Sequence, residues 1–139
     1  MLTRDFILAG KAIFTVSNRV GERYTFRVTH KEGSARYQET WFVALLTGPD
    51  NTTSYTYMGM LSPNDGAVHL TRNSRFNDES KPVRVIRWVL EIVWNGGELP
   101  AGYKLQHEGR CGKCGRMLTV PESIESGIGP ECAKRLALV

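Results

Sequence analysis

The residues with the most chemical potential in this chain are His107, Cys111, Cys114 and Cys132, in the arrangement His-x3-Cys-x2-Cys-x17-Cys. All three cysteines of the protein lie in this segment. Two thiolates separated by two residues can wrap one ion through a tight knuckle, and zinc asks for four such nitrogen or sulfur ligands in a tetrahedron. Gly112 and Gly115 remove side chains where the chain must bend around the ion and where backbone amides can point at sulfur. Cys132 stands far enough along to return and close the site. His107 is the nearest imidazole and the expected fourth ligand, with Glu108 or Glu131 as the alternatives, whereas His30 and His69 fall in strand-like segments and read as ordinary strand histidines. Four protein ligands leave no position for a substrate water, so the expected cofactor is a structural Zn2+.

Other chemistries fit these residues less well. A zinc deaminase needs a His-x-Glu element and a Pro-Cys-x-x-Cys pair, but Glu108 follows His107 directly and no proline precedes Cys111. A His-Glu-x-x-His metalloprotease element fails because Cys111 occupies the place of the second histidine. A redox Cys-x-x-Cys explains neither the preceding histidine nor the third cysteine. Asp50, Asp65, Asp78 and Glu79 lie in turn-like segments without forming a pair, and Ser17, Ser62 and Ser74 sit in no nucleophile elbow. The expectation is a protein that is not an enzyme, with no catalytic residue and no small-molecule substrate.

The elements that position these residues are legible in the periodicity. Runs rich in Val, Ile, Thr, Tyr and Phe predict strands at Ala12 to Ser17, Arg23 to His30, Thr40 to Thr47, Ser54 to Leu61 and Ala67 to Thr71. Turn residues separate them at 17–22, 48–51 and 63–66, giving a five-stranded antiparallel meander. Ser80 to Asn95 reads as an amphipathic helix, with Ser80 as cap, Pro82 in the first turn and Gly96-Gly97 at the end. Arg84, Arg87, Glu91 and Asn95 share one face, while Val85, Ile86, Val89, Leu90, Ile92 and Val93 occupy the other, which should pack on the sheet. Trp88 falls on the polar side; it is either covered by a loop or the C-terminal module, or exposed as a stacking or partner-binding anchor beside Arg84 and Arg87. The Gly- and Pro-dense segment 95–102 divides a sheet-and-helix body, residues 1–100, from a module at 101–139. That module is too small for a hydrophobic core of its own, so metal must substitute for one.

Composition bounds the rest. The chain has 139 residues, 41% of them apolar, which suits one globular core and rules out a disordered chain. Its longest apolar run, Trp41 to Leu46, is far below the roughly 20 residues of a membrane-spanning helix. The opening residues show no export signal, and an odd number of cysteines argues against a disulfide framework, so a reducing cytoplasm is expected. The formal net charge of +4 permits contact with nucleic acid without demanding it.

The C-terminal segment also carries a resemblance. The blocks Cys114-Gly115-Arg116, Leu118-Thr119-Val120-Pro121-Glu122-Ser123-Ile124 and Gly127-Ile128-Gly129-Pro130-Glu131-Cys132 occur in order. Together, over roughly residues 104–136, they resemble a zinc-ribbon-like domain of unknown function that is widespread in bacteriophage proteins. The resemblance implies a zinc site and a phage or mobile-element setting, hence a host-cell cytoplasm, and implies no reaction. Within the block, Leu118 and Ile124 read as a small apolar core and Gly127 as the left-handed end of a helical turn beginning at Pro121.

Two functions follow as expectations. One is nucleic-acid binding: Arg110, Lys113 and Arg116 recur at spacing three around the knuckle, and Arg23, Arg27, Arg72 and Arg75 lie near Tyr55 and Tyr57 in the body. The other is a protein-binding inhibitor or adaptor acting on a host machine, with Trp88 and Trp94 as anchors. The fold expected for both is α+β: a five-stranded antiparallel sheet, one packed helix and a C-terminal zinc ribbon or knuckle.

Overall fold

A computed structural model of the chain describes residues 2–36, 38–50, 53–108 and 110–114. The expectations for Arg116, Cys132 and Glu131, and those for the segment 118–129, lie outside the described residues. The elements run in the order α1 (Arg4–Ile7), β1 (Lys11–Ser17), β2 (Arg23–Lys31), β3 (Thr40–Leu46), β4 (Tyr55–Leu61), β5 (Val68–His69), α2 (Lys81–Trp94) and β6 (Lys104–His107). The strands form one antiparallel sheet in the order β5-β4-β3-β2-β1-β6.

The sheet has six strands rather than five. The additional strand, β6, pairs with β1 in the register Val16↔Leu105 and Ser17↔Lys104. Its four residues contain no β-branched side chain and no Phe, Tyr or Trp, and its partner lies about 90 positions earlier, so no local signal marks it. The sheet therefore takes residues from both sides of the turn at 95–102. At the opposite edge β5 is shorter than its sequence suggests. The Thr71 amide donates to Ser74 Oγ and the Thr71 hydroxyl pairs with Tyr57 Oη, which turns the chain out of the ladder.

Period-two alternation separates the two faces of the sheet. Ala12, Phe14, Val16, Phe26, Val28 and Val43 are buried on the inner face, and the cross-strand register carries that face on to Leu45, Leu61 and Val68. An irregularity in β4 between the partners of Val43 and Ala44 inserts Met58, which is also fully buried. Val83, Ile86, Val89, Leu90 and Val93 of α2 close the core from above, and Phe6 and Ile7 of α1 plug one end. Val85 and Ile92, expected on the apolar face of α2, are half-buried at its flanks. Each fully buried Phe or Leu contributes roughly 1.5–3 kcal/mol of apolar transfer, so this face dominates the stability of the body.

Side chains fix the angle of α2. Trp94 Nε1 donates to the Pro63 carbonyl at 3.0 Å, and Arg87 donates from Nε and Nη2 to the Val68 carbonyl at 3.1 and 2.9 Å. The helix begins after Ser80, whose carbonyl accepts the Arg84 amide. The Ser80 hydroxyl does not cap it; that oxygen accepts the Asn77 amide at 3.0 Å in the preceding turn. The C-terminal end is as the sequence predicts. Gly96 is left-handed at φ +70, its amide meets the Val93 carbonyl, and the Gly97 amide meets that of Ile92.

Candidate functional site

The cysteine knuckle leaves the end of β6. His107 is the last residue of that strand and lies opposite Phe14, an inner-face position, with its ring 6.0 Å from that of Phe6. Cys111 is completely buried within the main core, and Cys114 packs against the same core half-buried. The Lys113 amide donates to Cys111 Sγ at 3.3 Å, the amide-to-sulfur contact expected of a knuckle that holds a thiolate. The Lys11 amide meets the Gly112 carbonyl at 2.6 Å, and a Cβ on Gly112 would lie 2.8 Å from the Phe6 ring. The base of the knuckle is thereby clamped to α1 and the start of β1. Neither described cysteine is in a disulfide. No group of three or more His, Cys, Asp or Glu side chains converges among the described residues, and Cys132 is outside them. Two soft sulfur donors two residues apart, one of them accepting a backbone amide, suit zinc chemically.

The basic residues singled out from sequence are distributed differently. Arg110 is exposed and Lys113 half-buried. Arg84 and Trp88 line a cleft of about 480 Å³ between the β1–β2 hairpin and α2, together with Tyr24 and Tyr103. Trp88 is half-buried, and Tyr103 meets it edge-on at 5.1 Å, so the segment after α2 covers one side of the ring. Arg87 is held inside the fold by the Val68 carbonyl and by Asp78 at 2.8 Å. Trp94 is likewise structural, lying over Gly66 and bonded to Pro63.

The outer face of the sheet assembles a constellation that sequence spacing only hinted at. Residues alternating with the buried positions bring Ile13, Arg27, Ala44 and Tyr57 into one row and Thr29, Phe42, Met60 and His69 into the next. Every Lys or Arg in the six strands, namely Lys11, Arg23, Arg27, Lys31 and Lys104, stands on this outer face, and none of the strands contains Asp or Glu. Two nearby carboxylates are engaged elsewhere: Glu22 with Lys81 at 2.6 Å and Glu39 with His30 at 2.7 Å. Glu32 follows β2 in an exposed loop.

Two concavities mark this face. A groove of about 1120 Å³ runs over β3 and β4, where Phe42 and Tyr57 meet edge-on at 6.1 Å and Arg75 forms part of the wall. Beside them the Arg27 guanidinium lies over the Tyr55 ring, 4.4 Å from its centroid. Burial raises the Tyr55 phenol above its ordinary pKa, the Glu108 carboxylate raises it further and Arg27 opposes them, so the ring carries no charge near neutral pH. At the opposite side, a cleft of about 500 Å³ at the β1–β2 turn is lined by Ser17, Arg19, Arg23 and Lys104. Ser17 lies between Arg23 and Lys104 in register, which brings those two cations to either side of one strand.

Comparison with known proteins bears on the C-terminal part alone. No curated protein and no solved structure matches the chain. Residues 106–137, the segment that carries the four expected metal ligands, match the model of a family of unknown function, DUF6011.

Proposed function

We propose that this protein binds nucleic acid across the outer face of its sheet and carries a structural zinc module at its C-terminal end. The reading rests on one observation above all: five strand cations share one face, and no strand supplies a carboxylate. A surface of that kind neutralises phosphates and releases their counterions, and exposed rings interleaved with it add stacking. In the module, His107, Cys111, Cys114 and Cys132 would hold the ion, which would stabilise a segment that has too few residues for a core. The amide-to-sulfur contact at Cys111 supports that ligand set. The resemblance of the segment to phage-associated domains supports an accessory role in a bacteriophage or mobile-element setting.

Binding of labelled oligonucleotides across a salt series tests the main reading. Affinity should fall steeply and log-linearly with salt, with a slope close to the number of phosphates contacted. Absence of binding at low salt contradicts it. Elemental analysis of reduced protein tests the module separately, with one zinc per chain expected and loss of the metal after Cys114→Ser. A second reading, capture of a host protein, draws on the cleft beside Trp88, Tyr24 and Tyr103; a nuclease-resistant partner whose binding ignores salt would favour it.

A further inference from the structure

We infer that the bound nucleic acid is single-stranded and is divided between the two concavities, with bases stacked in the β3–β4 groove and backbone phosphates in the cleft formed by Arg19, Arg23 and Lys104. This rests on the nucleic-acid reading above and specifies its substrate. The two concavities differ in chemistry in the way a single strand requires. The cleft has three cations and no aromatic ring or carboxylate in its lining. The groove has Phe42, Tyr55 and Tyr57 with Arg75, again with no carboxylate in its lining.

Charge assigns bases rather than phosphates to the groove. Glu108 follows β6 and acts on Tyr55 through its charge, while Arg27 is already laid over that ring. A phosphate placed there meets a carboxylate, whereas an uncharged base meets ring faces and a guanidinium plane. From β4 the cleft's cations stand two strand spacings away at Arg23 and four at Lys104, roughly 10 to 19 Å along the sheet at about 4.8 Å each, which accommodates a few nucleotides. A duplex keeps its bases stacked on one another and can use the cations alone.

The test compares a single-stranded oligothymidine with a duplex of equal length, using fluorescence anisotropy at one low salt concentration. The wild-type chain should bind the single strand more tightly. Phe42→Leu combined with Tyr57→Leu, which keeps apolar volume but removes the rings, should weaken single-strand binding by about tenfold or more and leave duplex binding unchanged. Arg23→Glu with Lys104→Glu should weaken both. Ultraviolet crosslinking of the wild-type protein to the oligothymidine, read by mass spectrometry, needs no variant; its adducts should fall on residues 40–61. Equal affinity for both forms, or adducts confined to other segments, overturns this inference while leaving nucleic-acid binding in place. Failure to bind either form overturns the parent reading as well.

Discussion

The inner and outer faces of the sheet come from the same strands, yet they follow opposite rules. On β2, Phe26 and Val28 are fully buried, while Arg23, Arg27 and Lys31, which alternate with them, form part of a cationic surface. The inner set is fixed by the need to exclude water beneath α2. Nothing in folding requires the outer set to lack carboxylates, since mixed charge on a solvated face would serve solubility better. The contrast teaches that burial explains one half of each strand and leaves the other half to be explained, which is where the proposed binding surface lies.

Substitutions on the two faces should separate these roles. The largest effect is expected at Phe14, fully buried opposite Phe26. Phe14→Ala should cost about 3–5 kcal/mol in urea unfolding, and oligonucleotide affinity should be unchanged wherever the variant remains folded. Gly66→Ala comes next, because Gly66 is left-handed at φ +74 and an added Cβ would lie 2.7 Å from the Trp94 ring. It should lower stability by about 1–3 kcal/mol on the same assay. Arg23→Ala, on the exposed outer face, should change stability by no more than about 0.5 kcal/mol but reduce the salt slope of binding by about one phosphate contact. If it unfolds the protein without touching affinity, the division between faces is wrong.

The smallest effect concerns the exposed Glu22–Lys81 pair. Lys81 holds the Glu22 carboxyl below its ordinary pKa, chiefly by a hydrogen bond, and Glu22 raises Lys81 in the same way. The Glu22 contribution is therefore present above the pKa of the unfolded carboxyl and fades as pH falls through the folded one. The Lys81 contribution is present below the ordinary lysine pKa and fades as pH rises through the raised value. The Tm difference between wild type and Lys81→Met should be greatest near neutral pH and close at both extremes; a difference that does not vary with pH would show that the pair does no electrostatic work.

Sequence periodicity located the five meander strands and α2 to within a residue or two at most ends, because their alternation and turn chemistry are local. Two elements escaped it for physical reasons. The helix α1 has only four residues, and β6 owes its existence to pairing with a strand about 90 positions away. Non-local register also decided which arginines and aromatics share a surface. The sequence puts Arg23, Arg27, Arg72 and Arg75 near Tyr55 and Tyr57, but Phe42 enters only through its register with Thr29 and Met60. Conversely, spacing placed Arg84, Arg87 and Trp88 on one helix face, yet carbonyl and carboxylate partners from β5 and its following loop hold Arg87. For the knuckle, the spacing of His107, Cys111 and Cys114 carried the chemistry, and the burial of Cys111 in the body's core was invisible in it.

The measurement that most directly tests the outer face as the binding surface is amide chemical-shift mapping by NMR during titration with a short single-stranded oligonucleotide. The account predicts that the perturbed amides cluster at Arg23, Arg27, Phe42, Tyr57 and Lys104, with α2 quiet. Perturbations confined to α2 and the cleft around Trp88, or none at saturating oligonucleotide, would contradict it.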